Sequence, residues 1–112
     1  MRVEDVLAVE LASGRPVPTA LAGEPYESWR VLFDDGRVEL GVWEVTPGSF
    51  AASCAGFTEQ MHFVAGSGTI TGADGTTAEI RPGAVLVLPD GWSGRWDVRE
   101  TVRKSYAVVK TA

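Results

Sequence analysis

From Ser28 onward the chain is a succession of short runs rich in β-branched and aromatic residues, each cut off by a cluster of Gly, Pro or Asp. Runs this short leave no room for a long helix, and this punctuation is the mark of an all-β sandwich or barrel. The pattern predicts strands at Ser28–Asp34, Val38–Thr46, Phe50–Cys54, Gln60–Val64, Gly68–Thr71, Thr76–Ile80, Ala84–Leu88, Gly94–Val98 and Val102–Val109. Asp34-Asp35-Gly36-Arg37 and Gly72-Ala73-Asp74-Gly75 each place a glycine where a tight hairpin needs positive φ. Arg81-Pro82-Gly83 and Pro89-Asp90-Gly91 bracket one short strand between them.

The first 25 residues have a different texture. Val6 to Leu11 is weakly periodic, and Pro16, Pro18, Gly23 and Pro25 then interrupt any regular element. We therefore expect an arm over 1–25 and a barrel domain over 26–112. The arm either folds over a sheet edge, reaches a neighbouring subunit or stays partly ordered.

A chain of 112 residues buries about two-thirds of its unfolded surface, so one core can form without a metal or disulfide staple. Its 15 acidic residues outweigh 10 basic ones, with no Lys/Arg run, which argues against nucleic acid and favours a small neutral or cationic partner. The single cysteine, Cys54, forms no internal disulfide and points to no oxidising compartment. No apolar run approaches the ~20 residues of a membrane span, and acids stand where a signal peptide would be cationic and then apolar. The expectation is a cytoplasmic protein without membrane contact.

Glu59, six residues, Gly66, then the hairpin at Asp74-Gly75, then Arg81-Pro82-Gly83, five residues and Pro89-Asp90-Gly91 resembles the two motifs of the cupin superfamily. More narrowly, the stretches Gly41 to Gly48, Gly91 to Val98 and Val102 to Tyr106 look like the small single-domain cupins related to (S)-ureidoglycine aminohydrolase. The resemblance covers about residues 26–109. It implies a jelly-roll barrel, or double-stranded β-helix, that is commonly homodimeric and holds a ligand or metal inside.

Metal-binding cupins carry His-x-His before the motif glutamate and one more histidine in the second motif. Here the first pair falls on Ala52 and Cys54, or on Ser53 and Ala55 with a shorter spacer, and Gly94 takes the place of the last histidine. Divalent metals take three or four converging donors. Glu59 and Cys54 are all that these positions offer, so we expect no metal and no cofactor.

The resemblance to the cupin motif, carried along by strand alternation, implies that Glu59, Met61 and Phe63 point into the barrel. An acid among apolar neighbours suits proton transfer near neutrality. Glu59 is thus a candidate acid/base, or else a remnant holding a backbone amide or an Arg on a facing strand. His62, the sole histidine, has the opposite parity and is expected outside. Cys54 is a candidate nucleophile or a small buried hydrophobe. The small side chains from Ala51 to Gly56 leave volume that Trp92 and Trp96 would wall or fill. Pocket positions are expected at Ala52, Met61, Phe63, Trp92, Gly94, Trp96, Lys104 and Tyr106, with Lys104 and Tyr106 either anchoring a ligand at the mouth or lying on the surface.

Three functions follow from these features. The first is a metal-independent enzyme of isomerase, cyclase or dehydratase type acting on a small apolar or aromatic molecule. The second is a non-catalytic metabolite-binding module, and the third is an aminohydrolase-like enzyme with an atypical Cys54/Glu59 metal site.

Overall fold

In the computed structural model, which describes residues 1–111, two strands are far longer than the sequence pattern predicts. Gln60–Val64 and Gly68–Thr71 fuse into β6 (Phe57–Gly72), and Gly94–Val98 and Val102–Val109 fuse into β9 (Ser93–Lys110). The expected breaks are bulges: the β6·β9 register slips between Phe63 and Gly68 without ending the ladder. A bulge absorbs extra residues and bends the strand, and a glycine alone does not distinguish it from a turn. Gly66 sits in this bend at φ 94°, and a Cβ there would strike the Thr101 carbonyl and come within 2.6 Å of the Val102 Cα.

The remaining strands are β1 (Ser13–Pro16), β2 (Ala20–Ala22), β3 (Tyr26–Asp34), β4 (Val38–Val45), β5 (Gly48–Ser53), β7 (Thr77–Ile80) and β8 (Val85–Leu88). One path runs β1-β3-β4-β9-β5-β2, while β6 pairs with β7, β8 and β9. All pairings are antiparallel. The bent pair β6·β9 serves both ends of the barrel: β9 pairs with β5 through Ser93 to Val98 and with β4 through Val102 to Val109. The result is an all-β, curled antiparallel sheet. No helix among the described residues is long and apolar enough to cross a membrane.

The inward face of this sheet makes the core. Met61, Phe63, Val45, Val102, Ile70, Ile80 and Trp96 are almost wholly buried. Each side chain of this size contributes about 1.5–3 kcal/mol when removed from water.

The arm belongs to the sheet. β1 pairs with β3 and β2 with β5, and Val9 and Val17 are buried. The Arg103 guanidinium donates to the Val6 and Val9 carbonyls at 3.2 and 3.1 Å, and the Val17 amide donates to the Pro25 carbonyl at 2.9 Å.

Candidate functional site

Because directly paired residues of neighbouring strands share a face, the register across β6, β9 and β4 sets inward side chains in rows. Glu59, Val108 and Glu39 form one row, Met61, Tyr106 and Gly41 the next, and Phe63, Lys104 and Trp43 the third. All of these residues except Gly41 and Phe63 line one wall of a cavity of about 520 Å³.

In this wall Lys104 Nζ donates to Glu59 Oε2 at 2.6 Å, with side-chain exposures of 7% and 15%. Desolvating two charges is costly, and the pair persists because further partners compensate the ammonium. Its nitrogen lies 4.4 Å from the Trp43 ring centroid and 5.1 Å from that of Trp96, within cation–π range. The rings support one another: Phe50 stacks on Trp96 at 5.5 Å, and Trp43 meets Trp96 edge-on at 5.5 Å.

In the middle row Tyr106 lies over Gly41, where a Cβ would stand 2.6 Å from the phenolic oxygen. The missing side chain lets Tyr106 Oη donate to Glu39 Oε2 at 2.7 Å. Burial first, and then the bond to Glu39, push the Tyr106 phenol up, so it remains a proton donor throughout the neutral range.

The arm supplies a further wall through Arg15, Val17, Pro18 and Thr19. Arg15 Nε pairs with Glu27 Oε2 at 2.9 Å, and Trp43 Nε1 donates to Glu27 Oε1 at 3.0 Å. Thr19 Oγ1 donates to the Ala51 carbonyl at 2.6 Å, joining the arm to β5.

Of the residues singled out from sequence, Ala52, Cys54, Glu59, Met61, Trp92, Trp96, Lys104 and Tyr106 line the cavity. Phe63 and Gly94 do not. Phe63 lies beneath the wall, 1% exposed, with its ring edge-on to Trp96 at 6.0 Å. Gly94 does not widen the space, because the Trp92 ring occupies the room a side chain would take, with Cζ2 2.6 Å from a built Cβ. His62 is exposed on the outer face, between Val85 and Ser105. Glu59 meets Lys104 on the facing strand, in place of the backbone amide or Arg the sequence suggested.

Cys54 is buried, and its backbone holds the loop ahead of β9, its amide donating to Trp92 and its carbonyl accepting from Gly91. Burial, and then the charge of Glu59, push its thiol up, which disfavours the nucleophilic thiolate.

The sequence reading missed Glu39, Trp43, Phe50, Trp29, Glu27 and Arg15, all of which line the cavity. The alternation Glu39, Gly41, Trp43 was visible, but only the β4·β9 register shows that these residues face Tyr106 and Lys104.

The residues present do not fit a divalent metal. Where a cupin metal would bind, only Cys54 and Glu59 carry donor atoms, and the Lys104 ammonium already holds Glu59. Among the described residues no three His, Cys, Asp or Glu side chains converge as a metal site.

The EutQ-like cupin domain family matches residues 32–106. The chain belongs to this cupin family. No protein with a curated description matches it significantly. Solved structures do. A DUF861-family protein of unknown function from Pseudomonas syringae pv. tomato superposes with a TM-score of 0.78 at 24% identity, over 94% of this cupin and 46% of that protein. The cupin thus spans under half the length of the Pseudomonas protein. Ectoine synthase from P. lautus gives a TM-score of 0.75 at 18% identity, covering 98% of this chain and 78% of the synthase. The polyketide cyclase RemF from Streptomyces resistomycificus gives 0.68 at 23%, covering 100% and 86%. At these identities the likeness is one of fold.

Proposed function

We propose that this cupin binds a small, largely apolar or aromatic organic molecule in its barrel and catalyses metal-independent proton transfer on it. The observation that carries the reading is the Lys104–Glu59 pair set among aromatic rings in an open cavity. With a carbonyl compound bound, the Glu59 carboxylate takes a proton from the carbon beside the carbonyl. The electron pair moves onto the carbonyl oxygen, and the Lys104 ammonium stabilises that oxyanion. Return of the proton at a different carbon is isomerisation. Where the next carbon bears a hydroxyl group, the oxyanion's electron pair re-forms the carbonyl and a carbon–carbon double bond, and that hydroxyl leaves as water with the proton held by Glu59, which is dehydration. Two neighbours in fold are named a synthase and a cyclase, which supports small-molecule chemistry in this barrel.

The test is deuterium incorporation from D₂O into phenylacetone, read by NMR, alongside tryptophan fluorescence for binding. Exchange above the buffer rate that disappears in Glu59→Gln supports the reading. Binding without exchange leaves a metabolite-binding module, and no binding removes both. A stoichiometric metal in the purified protein would favour the aminohydrolase-like alternative. We take the protein to be a homodimer as part of this proposal, because exposed Val85 and Val87 lie on β8, which pairs with β6 alone among the described residues.

A further inference from the structure

We infer that the ligand of this cavity carries a positively charged amine, received where Glu39 stands; the inference rests on the proposed reading of the cavity as a binding site. The lining holds three carboxylates, Glu27, Glu39 and Glu59, and two cations, Arg15 and Lys104. Both cations are committed. Arg15 pairs with Glu27 at 2.9 Å and Lys104 with Glu59 at 2.6 Å.

Among the described residues no cation pairs with Glu39. Its hydrogen-bond partner is the Tyr106 hydroxyl, which donates its one O–H to the carboxylate and brings no positive charge. A second carboxylate adds to this. Asp34 is the direct cross-strand partner of Glu39 in the β3·β4 register, and like charges placed opposite one another destabilise a sheet. Neither residue forms an ion pair among the described residues. Asp34 Oδ1 instead accepts the Gly36 amide at 2.8 Å.

An ammonium group supplies the charge and the donors that this end of the cavity lacks. Farther along the same cavity the Trp43 ring already accepts such a group, since the Lys104 nitrogen lies 4.4 Å from its centroid. A carboxylate-bearing ligand would meet the uncompensated charge of Glu39, and a neutral one would leave that charge unanswered. The excess of acid over base in the whole chain acts in the same direction.

Two probes of one size and different charge test this: 2-phenylethylammonium and the neutral 2-phenylethanol, titrated by calorimetry at pH 7. The amine is expected to bind about tenfold tighter or better. Glu39→Gln should erase that advantage, so that amine and alcohol bind with affinities within about twofold of one another. Raising ionic strength should weaken the amine and spare the alcohol, a comparison made on the unaltered protein. The inference is overturned if the amine binds no tighter than the alcohol, or if Glu39→Gln weakens both alike. If the alcohol alone binds, the proposed function stands and the charge assignment fails. If neither binds, both fail.

Discussion

Lys104 Nζ sits 2.6 Å from Glu59 Oε2, joining two strands across 45 residues of sequence inside the barrel. Each charge makes the other tolerable. Removing one partner therefore costs more than removing both.

Glu59→Gln leaves a buried ammonium and should destabilise the fold by about 3 kcal/mol in urea denaturation. Lys104→Met should cost less, about 1–2 kcal/mol, because the Glu59 carboxylate is the more exposed partner and keeps some contact with water in the cavity. The double variant should be more stable than the sum of the two losses predicts. Strict additivity would show that the pair is not coupled.

Two glycines of similar φ should differ sharply when changed to alanine. At Gly66, φ 94°, the new methyl group meets the Thr101 and Val102 backbone, which cannot move without opening the β6·β9 bend. A loss of about 3 kcal/mol or more is expected in thermal melts. At Gly36, φ 87°, nothing lies within 4 Å, and only the left-handed strain of about 1 kcal/mol should appear.

Gly41→Ala tests the seat of Tyr106. Its Cβ would press on the Tyr106 hydroxyl and on the Arg30 carbonyl, both at 2.6 Å. Overpacking of this kind costs about 1–3 kcal/mol. It should also break the bond to Glu39, so Tyr106→Phe made on top of it should cost little more. A full additional loss for that second change would mean the bond survives.

Cys54 should be slow to alkylate. With its thiol pushed up by burial and by Glu59, the folded protein should react with iodoacetamide more slowly than the urea-unfolded chain at pH 8. The shift favours the neutral thiol in the folded state. Its contribution to stability is therefore fully present below the unfolded thiol's pKa and falls away as pH rises through the folded one. Equal alkylation rates in the folded and unfolded chains would contradict this.

His62→Ala should leave stability within about 0.5 kcal/mol and leave 2-phenylethanol binding unchanged, since the side chain is exposed on the far side of the sheet from the cavity. A lost binding signal would place His62 in the site after all.

From β3 onward most strand positions and their parity were legible in the sequence because both are local, while β1 and β2 in the arm and the continuity of β6 and β9 were not. Alternation along one strand set Glu59, Met61 and Phe63 on one face and His62 on the other, the cupin motif named the first face as the inner one, and the turn glycines marked the hairpins at Gly36 and Gly75. The absence of the metal-binding histidines was also plain in the residues themselves. Which strands lie side by side is not local. The pairing of β4 with β9 brings Glu39 to Tyr106 across 67 residues, and no periodicity in either segment records the other. The same holds for β1, whose Arg15 reaches the cavity only because the arm joins the edge of β3. Sequence alone determined that this chain forms a strand-built cupin barrel with a carboxylate facing inward. Tertiary structure decided that Glu59 is paired with Lys104 and that, among the described residues, Glu39 is left without a cation. The reason is physical: charge compensation depends on distance in space, which register sets and sequence separation does not.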